Sequence, residues 1–237
     1  MIIGSSRAYR GLDPRVFESL DSGRRYFNFG FSSVEMTADY LRHAEQLLRP
    51  GAQHPTIIIS TEIPNYALIS RKNSHYNAIA KTNRLDRLVT LFTNRLRTKP
   101  VPSPIVWQES GFASSTDNGD HHKEGLAQSK KLLETADSKL IQEDWNAMVA
   151  AIKRWRSLGI RVFVVRMPTT DAMEALEGRS VGVGRAEMRK AFTAAGAKWI
   201  ELPNSYDEVL DSSHLNAAGA NRISKIVAKL ILEERSE

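Results

Sequence analysis

Two short stretches at opposite ends of the chain hold the residue types that nucleophilic acyl chemistry requires. The first is Gly4-Ser5-Ser6-Arg7, where an apolar run gives way to a turn or helix. A serine at the carboxyl end of a parallel strand lies on the edge where α/β sheets bind ligands. Its backbone N–H, near a following helical turn, can face a developing oxyanion. The second stretch is Asp211-Ser212-Ser213-His214-Leu215-Asn216, just ahead of the last helical pattern. A histidine can take the hydroxyl proton of a serine and return it to a leaving group, provided that a carboxylate fixes its tautomer. Asp211 can do that across a tight turn. Each stretch also has a plain structural reading, because Gly-Ser-Ser makes turns and Asp-x-x-His can cap a helix. Asn216 is the better N-cap for the helix that follows, which leaves His214 free of that duty.

These residues meet only if the fold brings both ends of the chain to one place. The predicted strands are Met1–Ile3, Tyr26–Asn28, Thr56–Ser60, Arg161–Val165 and Lys198–Glu201. Ile57-Ile58-Ile59 and Val162-Phe163-Val164-Val165 are unbroken apolar runs, as expected of strands covered on both faces. Helical patterns alternate with them, which argues for an α/β fold with a parallel sheet. Asp13-Pro14 reads as an N-cap followed by proline in the first helical position. Ser32-Ser33-Val34-Glu35 predicts a capping box opening a helix through about Leu48. Three apolar stripes at helical spacing are read as core faces: Leu85 to Leu96, Ile141 to Trp155, and Ile223 to Ile231. Thr98–Gly125 breaks the rhythm with Pro100, Pro102, Pro104, Gly111 and Gly119, and predicts a long irregular insertion. Such an insertion is a natural lid or binding wall.

The 237 residues suit a single large domain with a substantial core. Cysteine is absent, so disulfides, zinc-thiolate sites and a cysteine nucleophile are excluded. The net charge is +6 and the isoelectric point about 9.6, but the basic residues are scattered and no nucleic-acid motif accompanies them. No nucleic-acid partner is therefore expected. No apolar run approaches the ~20 residues of a membrane span, and no signal peptide is apparent. The opening Met1-Ile2-Ile3-Gly4 reads as the end of a buried strand, as if an upstream segment had been trimmed. Asp120-His121-His122 is read as an exposed polar loop, because adjacent histidines point in different directions; no metal or other cofactor is expected.

Taken together, the strand-end Gly-x-Ser and the Asp-x-x-His before the last helix resemble the first and last sequence blocks of SGNH (GDSL-like) hydrolases. The resemblance implies a three-layer α/β/α, flavodoxin-like fold. It implies Ser6 as nucleophile, His214 as general base and then acid, and Asp211 as its orienter. Tyr26-Phe27-Asn28-Phe29-Gly30 is similar to the family's second block, which implies Gly30 N–H and Ser6 N–H as oxyanion donors. The third block departs from the common Gly-x-Asn-Asp. Here it is Ser60-Thr61-Glu62-Ile63-Pro64-Asn65, with Asn65 displaced and preceded by proline. These variations resemble the branch that modifies bacterial envelope polysaccharides, such as alginate O-acetylation and lipoteichoic acid D-alanylation proteins.

What that resemblance implies is a serine esterase or O-acyltransferase acting on acyl esters of a carbohydrate or envelope polysaccharide, with acetyl the expected group. An anchored, extracytoplasmic setting and a membrane-bound O-acyltransferase partner would follow from it; without an anchor the setting would be cytoplasmic. The displaced Asn65 leaves open a weakly active or inactive carbohydrate-binding module on the same fold. Arg7 and Arg166 are candidates for binding a substrate carboxylate or phosphate, with a buried ion pair, for instance to Glu62, as the other reading. Oligomeric state is not legible.

Overall fold

The apolar runs form the middle of a five-stranded parallel sheet. The structure, a computed structural model, describes residues 1–81, 105–115, 119–134, 139–202 and 206–234. Five strands, β1 (Ile2–Gly4), β2 (Asn28–Gly30), β3 (Thr56–Ser60), β6 (Arg161–Val165) and β7 (Lys198–Ile200), lie in the order β2-β1-β3-β6-β7. Between β3 and β6 in sequence, β4 (Ile105–Trp107) and β5 (Ala113–Ser115) make a separate antiparallel hairpin. Because β1 is flanked by β2 on one side and β3 on the other, the connections diverge there. That divergence opens a crevice at the carboxyl ends of β1 and β3.

Successive side chains on the central strands serve two cores. Ile3, Ile57, Ile59, Val162 and Val164 pack on one face against α3 (Ala38–Gln46), α7 (Gln142–Ser157) and α9 (Arg185–Ala194). Tyr40, Trp155 and Phe192 supply the large rings of that layer. Ile2, Ile58, Phe163 and Val165 pack on the other face against α1 (Ser6–Gly11), α2 (Pro14–Leu20) and α10 (Ala217–Glu233). This is the three-layer α/β/α arrangement, and it places α1 and α10, the carriers of the two chain ends, side by side. Glu45 on α3 clamps α7 by accepting from Arg154 Nη2 at 2.8 Å and Trp155 Nε1 at 3.0 Å.

Several elements differ from the sequence reading. The helix expected from Ser32 begins only at Ala38, with the Thr37 hydroxyl accepting from Tyr40 N at 3.2 Å. Ser32 and Ser33 instead sit in a turn closed by Val34 N–H on Phe31 O at 3.3 Å, with Ser33 left-handed at φ +50°. After β3 come a short 3₁₀ turn, Ile63–Tyr66, and two short helices, α4 (Leu68–Asn73) and α5 (His75–Lys81). The described part of the insertion is ordered rather than irregular: it holds the β4–β5 hairpin and the start of α6 (His122–Leu133). The stripe from Leu85 to Leu96 lies outside the described residues. The remaining α-helix among the described residues is α8 (Asp171–Val181), which ends on the left-handed Gly182.

Gly4 ends β1 with φ +149°, and a Cβ there would stand 2.4 Å from the Ser60 carbonyl oxygen. That oxygen belongs to the backbone of β3 and cannot move away. Gly4→Ala is expected to lower stability by at least about 2 kcal/mol, read from the midpoint of urea unfolding.

Candidate active site

Ser6 opens α1 directly after β1, and His214 approaches it from the loop before α10. His214 Nε2 lies 2.7 Å from Ser6 Oγ, although the two residues are 208 positions apart. On the other side of the ring, Nδ1 faces Asp211 Oδ1 at 3.0 Å and Oδ2 at 2.9 Å. With its ring hydrogen directed to Asp211, the imidazole presents a lone pair to the serine hydroxyl. Asp211 Oδ1 also accepts the backbone N–H groups of Ser213 at 3.1 Å and His214 at 2.8 Å, which fixes the turn. A bridge between Val209 and Leu215 pinches the base of this loop, and Asn216 caps α10 through Gly219 N at 2.9 Å.

The electrostatics favour a neutral histidine beside an ionised carboxylate. Burial lowers the His214 pKa, and the positive charges of Arg10 and Arg7 outweigh, together with burial, the opposing pull of Asp211. Burial by itself would raise Asp211. Its hydrogen bonds to His214 and the guanidinium of Arg10, 3.7 Å away, instead hold it far below the usual carboxylate range.

Three kinds of polar hydrogen border the crevice beside Ser6. Ser6 N–H, at the first position of α1, has no intrahelical acceptor. Among the described residues, Ser32 N–H and Ser33 N–H also lack a protein acceptor, and both residues line the crevice. Asn65 reaches the same wall despite its displacement in sequence. Its Oδ1 accepts from Glu62 N at 3.0 Å and its Nδ2 donates to Val34 O at 3.0 Å, leaving one amide hydrogen. Gly30 does not fill the expected place. Its N–H is spent on Asn28 Oδ1 at 3.0 Å, while Asn28 Nδ2 caps α1 at the carbonyls of Ala8 and Leu12.

Arg7, which borders the crevice, and Arg166 are both engaged by one buried carboxylate. Arg7 donates to both oxygens of Glu177 and to Ser213 Oγ, the latter from Nε at 3.0 Å. Arg166 Nη2 donates to Glu177 Oε2 at 3.0 Å, and all three residues are buried. The anion between the two arginines is thus Glu177, which the sequence did not single out. Glu62 lies in the same cluster, bonded to Ser5 Oγ, and burial pushes its carboxyl up despite the charge of Arg7. Burial alone would lower Arg7, but Glu177 and Glu62 hold it above its ordinary value.

The crevice has a volume of about 280 Å³. Pro64, Ile69, Leu132 and Leu133 make its apolar wall, and Gln128 and Ser129 on α6 add polar groups. Gly125, the last residue of the insertion, lines the crevice as well. Asp120 and His121 are exposed, as expected, but the half-buried His122 touches the Asp211–His214 loop, its Nδ1 accepting from Ser212 N at 3.1 Å. No cue in sequence spacing could have found that contact, because His122 and Ser212 come from unrelated segments. Among the described residues no cluster of metal-ligating side chains is present.

A scan against protein-family models and a search of curated proteins both find no match to this chain. The site's chemistry must accordingly be argued from its own geometry.

In an NMR titration, His214 is expected to protonate at a pH below the ordinary histidine value. Arg10→Met removes a cation that disfavours the imidazolium and should move that midpoint upward; a downward move would contradict the electrostatics described.

Proposed function

We propose that the protein is a serine-dependent esterase or O-acyltransferase that forms an acyl-enzyme on Ser6. The observation that carries this reading is the linear array Ser6 Oγ–His214–Asp211, with hydrogen-bond distances of 2.7 Å and 2.9 Å. Ser6 Oγ attacks the ester carbonyl as its proton passes to His214 Nε2. The imidazolium formed is stabilised by Asp211, whose carboxylate stays ionised. Ser6 N–H and the remaining Asn65 amide hydrogen are the candidate donors to the oxyanion, joined by the Ser32–Ser33 turn. The leaving alkoxide takes the proton from His214 Nε2, and the C–O bond to the alcohol breaks. Water or a sugar hydroxyl then gives its proton to His214 and attacks the acyl carbon; the C–O bond to Ser6 breaks and His214 Nε2 returns that proton to Ser6 Oγ.

A crevice of about 280 Å³ favours a short acyl group such as acetyl. The hydroxyl-rich rim, with Ser32, Ser33, Ser129 and Gln128, suits a polar alcohol component, and we assign the acylated carbohydrate class to it. A membrane-bound O-acyltransferase as acyl donor is part of the same proposal and rests only on the resemblance of the terminal motifs.

Incubation with p-nitrophenyl acetate and a fluorophosphonate is expected to give turnover and covalent labelling of the wild type and neither in Ser6→Ala. Asp211→Asn should retain the fold and lose about three to four orders of magnitude in kcat. Labelling of Ser6→Ala at the wild-type rate would remove Ser6 as nucleophile; an unlabelled wild type would favour a binding module. Since the base form of His214 is required and its pKa is depressed, kcat/KM should rise with pH through a midpoint below the ordinary histidine value and be flat at neutral pH.

A further inference from the structure

We propose that His122 is a positioning residue for the triad, holding Ser212 in the left-handed conformation that sets Asp211 and His214. The inference rests on reading those two residues with Ser6 as a triad. Ser212 lies between Asp211 and His214 in the catalytic turn, is buried, and has φ +66°. That region crowds the Cβ of an L-residue against its own backbone, so something must hold the serine there. The holding contacts come chiefly from one residue. Ser212 N–H donates to His122 Nδ1 at 3.1 Å, Ser212 Oγ donates to His122 O at 3.0 Å, and Oγ lies 3.3 Å from Nδ1.

The neighbouring backbone strengthens the clasp. His121 N–H donates to Leu210 O at 3.0 Å, and Ser212 O accepts from Thr170 N at 3.2 Å. One turn further along α6, Gly125 sits so close that a Cβ would stand 2.0 Å from Asp211 O. The helix that walls the crevice with Gln128 and Ser129 thus also grips the turn carrying the base. The clasp requires Nδ1 of His122 to act as an acceptor, which puts its ring hydrogen on Nε2, 3.9 Å from Asp120 Oδ1. Asn is the conservative replacement, because its Oδ1 can accept from Ser212 N–H close to where Nδ1 stood.

The test uses His122→Ala, His122→Asn, Ser212→Gly and the double variant His122→Ala/Ser212→Gly. The readouts are kcat and KM on p-nitrophenyl acetate and the far-downfield NMR resonance of the proton shared by His214 Nδ1 and Asp211. His122→Ala should lose about ten- to a hundredfold in kcat, as small misplacements of catalytic groups do, with KM little changed and the resonance broadened. His122→Asn should keep both. The double variant should recover most of the loss, because glycine adopts the left-handed region without steric cost.

An unchanged kcat and resonance in His122→Ala would overturn the proposal, as would a His122→Asn as damaged as the alanine or a double variant without recovery. If the wild type shows no acyl turnover, the proposed function fails while the resonance still decides the positioning role. Should the alanine variants not fold, His122→Asn decides: its resonance retained supports the clasp, and its resonance lost overturns it.

Discussion

The approach of β1 to β3 at their carboxyl ends is the constraint on which the rest of the site depends. Gly4 N–H is held by the Tyr40 hydroxyl at 3.0 Å, and the same hydroxyl donates to Phe29 O at 2.6 Å. Burial pushes that phenol well above its ordinary pKa, so it stays neutral and can accept and donate at once. One side chain from α3 therefore ties β1 to the end of β2, while Gly4 lets β3 come close on the other side. Ser6 follows immediately, so its position is inherited from this junction rather than from a flexible loop.

Behind Ser6 stands a buried set of charges. Arg7, Arg166, Glu177 and Glu62 are removed from water, and such groups stabilise a fold weakly because desolvation offsets their attraction. Their effect on the site is easier to identify than their net contribution to stability. Arg7 follows Ser6 in sequence, is anchored on α8 through Glu177, and reaches Ser213 of the Asp211–His214 turn. The network joins the first helix, the β6–α8 side and the loop before α10. The charge of Arg7 also works with burial and with Arg10 to lower the His214 pKa.

Of the three non-glycine residues with positive φ among the described ones, Ser33 borders the crevice and Ser212 lies between two residues that do, Asp211 and Ser213. Strain of this kind persists only where surrounding contacts over-determine it. At Ser212 the contacts are those of His122; at Ser33 they are the Phe31–Val34 turn and the packing of Ser32 O under His75 N at 3.2 Å. Both strained turns place residues along the same small volume, Ser32 and Ser33 from one and Asp211, Ser213 and His214 from the other.

The sequence by itself determined the layers and marked the three residues that the fold brings together. Ile57-Ile58-Ile59 and Val162 to Val165 could be read as doubly covered strands because nothing but burial on both faces tolerates such runs. Ser6, Asp211 and His214 were legible because two stretches that each have a structural reading alone supply a complete set of groups for acyl chemistry together, and short-range geometry fixes the Asp211–His214 pair. Backbone and long-range facts were beyond reach. Gly30 could not be seen to give its N–H to Asn28, nor Ser32-Ser33 to form a strained turn in place of a capping box. The pairing of Arg7 and Arg166 on Glu177, and of His122 on Ser212, depends on where α8 and α6 dock, which no local pattern encodes. Local pattern fixes periodicity and residue type; only the packed sheet and its helices decide which donors stay free, and free donors are what make a crevice a site.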